Sequence, residues 1–149
     1  MYNRGEDDMI TKPTVMMIRC TQDNILSLEP NWIFVFGSNL SGRHGKGAAR
    51  QALKWGAKPG QFYGRQGNTF AIPTVDKNIS GPLPIKKIKI FVDSFIDQAK
   101  NDSGNIYMVT EIGCGLAGLK VKDIAPLFKD AIGVSNIFLP KRFWHKLID

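Results

Sequence analysis

The chain has 149 residues and carries 20 basic against 13 acidic side chains, a formal charge of +7. Its composition, 43% apolar and 22% charged, is that of a globular domain, and no run approaches the roughly 18 uninterrupted apolar residues of a membrane span. A length of this order makes one domain with an ordinary packed core, and an isoelectric point near 9.5 suits an anionic partner as well as it suits a plain basic protein.

The opening stretch MYNRGEDDMITKP is polar and acidic at its centre, unlike a signal or transit peptide. It reads as a mobile tail over residues 1–12, with a single domain over 13–149. PTVMMIRC (13–20) and NWIFVF (31–36) are short, β-rich and bounded by turn residues, which predicts two strands. Between them TQDNILSLEPN is a loop with room for one helical turn. GAARQALKW (47–55) predicts a helix with Ala48, Gln51, Ala52 and Trp55 on one face, followed by a glycine-rich connection over 58–68. TFAIP (69–73) predicts a strand stopped by Pro73.

The plainest helix follows. In LPIKKIKIFVDSFIDQAKND, Ile85, Ile88, Val92, Phe95, Ile96 and Ala99 recur at spacings of three and four, with Pro84 in the first turn and Gly104 beyond the end. NIYMVTEIG (105–113) is apolar without alternation, as in a strand covered on both faces. VKDIAPLFKDAI (121–132) is helical with Asp123 as its cap, NIFLP (136–140) is a last strand, and KRFWHKLID is a basic, aromatic tail. Strands and helices that alternate in this way predict an α/β domain built on a largely parallel sheet.

In such sheets ligands bind beyond the carboxyl ends of the strands. Three segments gather there: GSNLSGRHGKG, PTVDKN and IGCGLAG. Glycines in the first, with a helix behind it, let backbone N–H groups face an anion, but the Walker spacing is absent. IGCGLAG fits G-x-G-x-x-G through Gly113, Gly115 and Gly118, yet the next strand ends without the acid that a dinucleotide ribose needs. His44 reads as a phosphate donor, a general base or an exposed loop residue. Asp76 reads as a ribose or water ligand, or as a solvated turn residue. Cys114 lies between two glycines beside a helix start that would lower its pKa. No metal-ligand spacing and no cofactor motif is present, and two cysteines, Cys20 and Cys114, are too few for a disulfide framework, which points to the cytoplasm.

These segments, in this order, resemble a macrodomain, the three-layer α/β/α fold with a mixed, mostly parallel sheet that binds ADP-ribose. The resemblance places Asp23, in CTQDNIL, against the adenine amino group. It places Asn39 and the glycine-rich loop, with Gly45 and Gly47, around the distal ribose. It places Gly113, Cys114, Gly115, Leu116, Ala117 and Gly118 on the diphosphate loop. IGCGL (112–116) is similar to the branch of terminal ADP-ribose protein glycohydrolases, and the resemblance spans roughly residues 14–140. That branch ends the stretch in aspartate, where this chain has Ala117, so binding carries over better than catalysis. Hydrolysis of an ADP-ribosyl linkage would fall to His44 or Asp76. The expected partner is ADP-ribose or an ADP-ribosylated substrate, with no membrane. A non-catalytic nucleotide module is the alternative, and a nucleic-acid binder using Lys86, Lys87, Lys89, Arg65, Lys58 and the terminal KRFWHK ranks third.

Overall fold

A computed structural model describes Thr14 and residues 16–148, so the expected N-terminal tail lies outside the described residues. The chain folds as an α/β structure. Its strands are β1 (Cys20–Thr21), β2 (Trp32–Asn39), β3 (Gly64–Gln66), β4 (Thr69–Val75), β5 (Ile106–Val109) and β6 (Ile137–Pro140). Its helices are α1 (Gly47–Ala52), α2 (Ile85–Lys100), α3 (Val121–Ile124) and α4 (Lys141–Ile148). Tighter 3₁₀ turns extend α1 over Leu53–Trp55 and α3 over Ala125–Ala131. The six strands lie in the order β1-β6-β5-β2-β4-β3, every pair parallel except β3 with β4.

The side-chain period of two divides the central strands between two apolar clusters. Ile33 and Val35, Phe70 and Ile72, Tyr107 and Val109, and Ile137 and Leu139 join α2, the 3₁₀ turn and α4 in one cluster. Phe34, Phe36, Ala71 and Met108 join α1 and Ile25 in the other. The stripe read on α2 is the face it buries: Ile88, Val92, Phe95, Ile96 and Ala99 are all inside. Where α2 ends, the Asn136 side-chain amide donates to the carbonyls of Ala99, Asp102 and Asn105 at 2.8 to 3.0 Å. Those are the last carbonyls of the helix and its exit turn, which have no partners inside the helix.

Several expectations are corrected. Among the described residues Thr14 and Met16–Ile18 are helical and the strand is confined to Cys20–Thr21, where the expected first strand ran over 13–20. A short apolar run such as Val15–Ile18 fits either period, and tertiary packing decides. The 21–31 loop holds no helical turn. β4 runs through Pro73 to Val75, because the register with β2 slips just there, from Ser38↔Pro73 to Asn39↔Val75. Such an irregularity tolerates a residue with no N–H to give. The 58–68 connection contains β3. Asp123 lies in the first turn of α3, whose cap position belongs to Lys120 without a side-chain hydrogen bond. The terminal segment is no tail: α4 buries Phe143 and Trp144 completely.

α4 is docked through Arg19. Its guanidinium is buried and donates to the carbonyls of Ile137, Ile132 and Ala131 at 2.8 to 2.9 Å, the last two at the end of the 3₁₀ turn. It also lies 5.3 Å from the Trp144 ring, whose indole N–H donates to the Arg19 carbonyl at 2.8 Å. Burial lowers the Arg19 pKa, yet arginine keeps its charge through any such shift. Replacing Arg19 with Met removes three hydrogen bonds, leaving the Ala131 carbonyl only the Val134 N–H, and the expected loss is about 3 kcal/mol of folding stability. A fall in the urea midpoint at unchanged slope would show it; an unaltered midpoint would contradict this role.

Candidate functional site

A cleft of about 1050 Å³ opens at the carboxyl ends of β1, β5 and β6. Such a volume lies at the upper end of small-molecule sites. One wall is the 21–26 loop with Thr21, Asp23 and Leu26, and the other is α1 with Gly47, Arg50 and Lys54; Glu111 and Arg142 border it as well. Two sequence-predicted residues, Asp23 and Gly47, therefore line it directly.

The other candidates lie beside the cleft or are engaged elsewhere. Gly37, Thr74 and Gly113 meet at the ends of β2, β4 and β5, since a Cβ on Gly37 would stand 3.3 Å from the Gly113 nitrogen and 3.4 Å from the Thr74 hydroxyl. Gly113 itself holds φ +75°, and a Cβ there would press on Leu119 at 3.1 Å. The diphosphate-type loop and the glycine-rich loop do approach each other: a Cβ on Gly47 would sit 3.4 Å from the exposed side chain of Leu116. Around Gly45 and Gly115 the same construction meets nothing within 4 Å.

Backbone donors are the chief resource of these two loops. Among the described residues the amides of Gly45 to Ala49 find no hydrogen-bond acceptor, and neither do those of Gly115, Leu116 and Ala117. Gly118 N–H closes the second turn on the Gly115 carbonyl at 3.0 Å, and Leu119 N–H on Gly113 at 2.8 Å. Successive free amides of this kind form concavities that suit anions. Arg50 and Lys54 add charge, as neither has an ion-pair partner among the described residues. Thr21, only 4% exposed, carries a hydroxyl with no hydrogen-bond partner at the same cleft.

Asn39, His44 and Asp76 each have a structural task. The Asn39 amide donates to the Arg43 carbonyl at 2.8 Å, and its oxygen accepts from Arg43 N–H at 3.0 Å and from the Ser41 hydroxyl at 2.6 Å. It clasps the glycine-rich loop. His44 is 6% exposed, with its ring edge on Phe36 and Nε2 against the Lys58 carbonyl at 3.0 Å. That contact fixes the Nε2–H tautomer and leaves Nδ1 buried without a partner. Asp76 closes a turn, accepting from the Ser80 N–H at 2.9 Å and hydroxyl at 2.7 Å. The Ser80 hydroxyl and amide lower its pKa, which makes it a weak base.

Cys114 is corrected too. α3 starts only at Val121, and burial, with Glu111 beside it, pushes the thiol up to about 11. Both cysteines carry free thiols. The resulting expectation is that Cys114 alkylates far more slowly at neutral pH than a thiol of ordinary pKa, and speeds up as the pH rises. Site-resolved mass spectrometry of iodoacetamide labelling would read this, and rapid neutral-pH labelling would count against it.

Sequence reasoning missed Glu111 and Arg142. Arg142 belongs to the misread terminal helix, and its guanidinium grips Glu111 through two hydrogen bonds of 2.7 and 2.6 Å. The hydrogen bond from Arg142 lowers the Glu111 pKa below its ordinary 4.5. A lowered folded-state value adds stability that is present above the ordinary glutamate range and lost as the pH falls through the depressed one. Wild-type protein should therefore lose more of its urea midpoint on acidification below 4.5 than Arg142→Gln does. Parallel curves would show the pair to be inert.

Among the described residues no group of three His, Cys, Asp or Glu gathers as metal ligands, and no helix is long and apolar enough to cross a membrane. Fold and cleft together define an α/β chain with a strand-end site rich in amide donors. Comparison with protein-family models, curated proteins and solved structures finds no match to this chain.

Proposed function

We propose that the chain binds an ADP-ribosyl nucleotide in the strand-end cleft. The observation that carries this reading is the pair of loops, Gly45–Ala49 and Gly115–Ala117, whose free amides stand beside a cleft with Asp23 on its far wall. Amides and the cations Arg50 and Lys54 suit a diphosphate. Asp23 is exposed and makes no hydrogen bond among the described residues, which leaves its carboxylate to accept from an adenine amino group. The Thr21 hydroxyl offers a further polar contact once a ligand opens the wall around it.

Binding without turnover is the form of the proposal that the geometry favours. His44 is enclosed against Lys58 and Phe36, and Asp76 is held by Ser80, so neither faces the cleft as an acid or base. Glu111 does border the cleft, but Arg142 holds it as a stable carboxylate.

Calorimetric titration with ADP-ribose at moderate salt, with AMP and NAD as comparators, tests this. Saturable micromolar binding that prefers ADP-ribose is expected. Asp23→Ala and Gly115→Val should each weaken it at least tenfold, which corresponds to about 1.4 kcal/mol. Absence of heat with all three nucleotides would overturn the proposal.

A further inference from the structure

From Pro30 to Val75 the chain contains no acidic residue, yet it carries Arg43, Lys46, Arg50, Lys54, Lys58 and Arg65. Among the described residues Arg65 alone of these has an ion-pair partner, Asp102 at 3.5 Å. The other five are exposed, and among the described residues none has an acid within ion-pair distance. The remaining ion pairs, Lys89–Asp93 and Arg142–Glu111, lie elsewhere in the chain.

The fold brings together the segments that carry these five cations. The loops that carry them are strapped together, His44 Nε2 donating to the Lys58 carbonyl at 3.0 Å and Gly60 N–H to the Gly42 carbonyl at 2.9 Å. The contact is close enough that a Cβ on Gly42 would lie 2.5 Å from the Gly60 carbonyl carbon. Arg43 and Lys58 are thus neighbours, and Lys46, Arg50 and Lys54 continue the charge along α1 to the cleft. On the same strapped loop Phe62 is 40% exposed, its backbone held by the Ser38 hydroxyl. An exposed aromatic on a loop that also carries cations suits a strand with unstacked bases: the phosphates follow the charges and a base stacks on the ring. A duplex offers no free base face, and an acidic peptide has nothing flat to place on Phe62.

We infer that the ridge formed by Arg43, Lys46 and Lys58, with Phe62 as a stacking platform, binds single-stranded nucleic acid. This places such binding away from α2, where the lysine run suggested it, and away from the terminal aromatics, which are buried. The inference does not depend on the nucleotide reading of the cleft.

The experiment is fluorescence anisotropy of labelled oligothymidylate and oligouridylate, roughly a dozen nucleotides long, a span within the usual reach of such grooves. Wild-type protein should bind both strands, with affinity falling as salt rises by a log–log slope of about 0.7 per phosphate contacted. The triple variant Arg43→Ala, Lys46→Ala, Lys58→Ala should lose at least tenfold and flatten that slope. Phe62→Ala should lose about tenfold with the slope unchanged, since stacking releases no counterions. A triple variant of equal charge on α2, Lys86→Ala, Lys87→Ala, Lys100→Ala, should bind as wild type. The double variant Arg43→Ala, Lys58→Ala, which leaves the Gly45–Ala49 loop untouched, should also keep its calorimetric response to ADP-ribose, which separates failure here from failure of the cleft reading. Equal losses in the two triple variants would overturn the inference. So would displacement by duplex or polyglutamate as effective as by an unlabelled strand, or no binding at about 0.1 M salt, where phosphate-dominated binding is still strong.

Discussion

A single buried cation ties the two ends of the chain together. Among the described residues Arg19 has no acid to pair with, and its charge is met by three carbonyls and the face of Trp144. Carbonyls at the end of a helical turn carry the negative end of its dipole, so a guanidinium is the natural partner for them. The five donors of arginine in a fixed plane let one side chain serve three acceptors, which lysine would not match. Through this contact β1, β6 and α4 are held as one unit. That unit forms one side of the cleft, with Thr21 and Asp23 following Arg19 and Arg142 opening α4.

The cleft is assembled from segments that are remote in sequence, and this explains how its parts divide the work. The loops supply amides, which need only the right backbone path. The side chains that sequence inspection favours are largely consumed in making that path. Asn39 clasps 39–43, His44 bolts that loop to Lys58, and Asp76 closes 76–81. Each is polar and sits at a strand end because the turn requires it. A ligand would therefore meet mainly backbone donors, with Asp23, Arg50 and Lys54 as the side chains left available.

The elements most legible in the sequence were those with a strong period. α2 was readable over its whole length, and β2, β4, β5 and β6 fell within a few residues of where their apolar runs place them. The 13–20 run and α4 were not, for opposite reasons. Met16–Ile18 is too short and too uniformly apolar to show a period, whereas α4 hides Phe143 and Trp144 among Lys141, Arg142, His145 and Lys146. The location of the site followed from topology, since loops after parallel strands share one edge. Its membership did not. Glu111 and Arg142 meet only because α4 folds back, and no local signal marks a salt bridge across 31 positions. The fate of Cys114 was equally hidden, as burial and a neighbouring carboxylate set it, and neither is visible in a Gly-Cys-Gly triplet.

The ends of the sheet have a further consequence. β1 contributes two residues and β3 three, so both lateral strands are stubs. The longer and more apolar strands, β2 and β4, are enclosed between neighbours. Open strand flanks invite pairing with the next molecule, and very short ones offer too few consecutive donors and acceptors to seed it. On β3, Arg65 adds a charge and Gly64 a φ of +94° that bends the backbone away from flat extension. In a chain with β-rich central strands and 43% apolar residues, the five residues of its two lateral strands thus give sideways growth into ribbons little to start from.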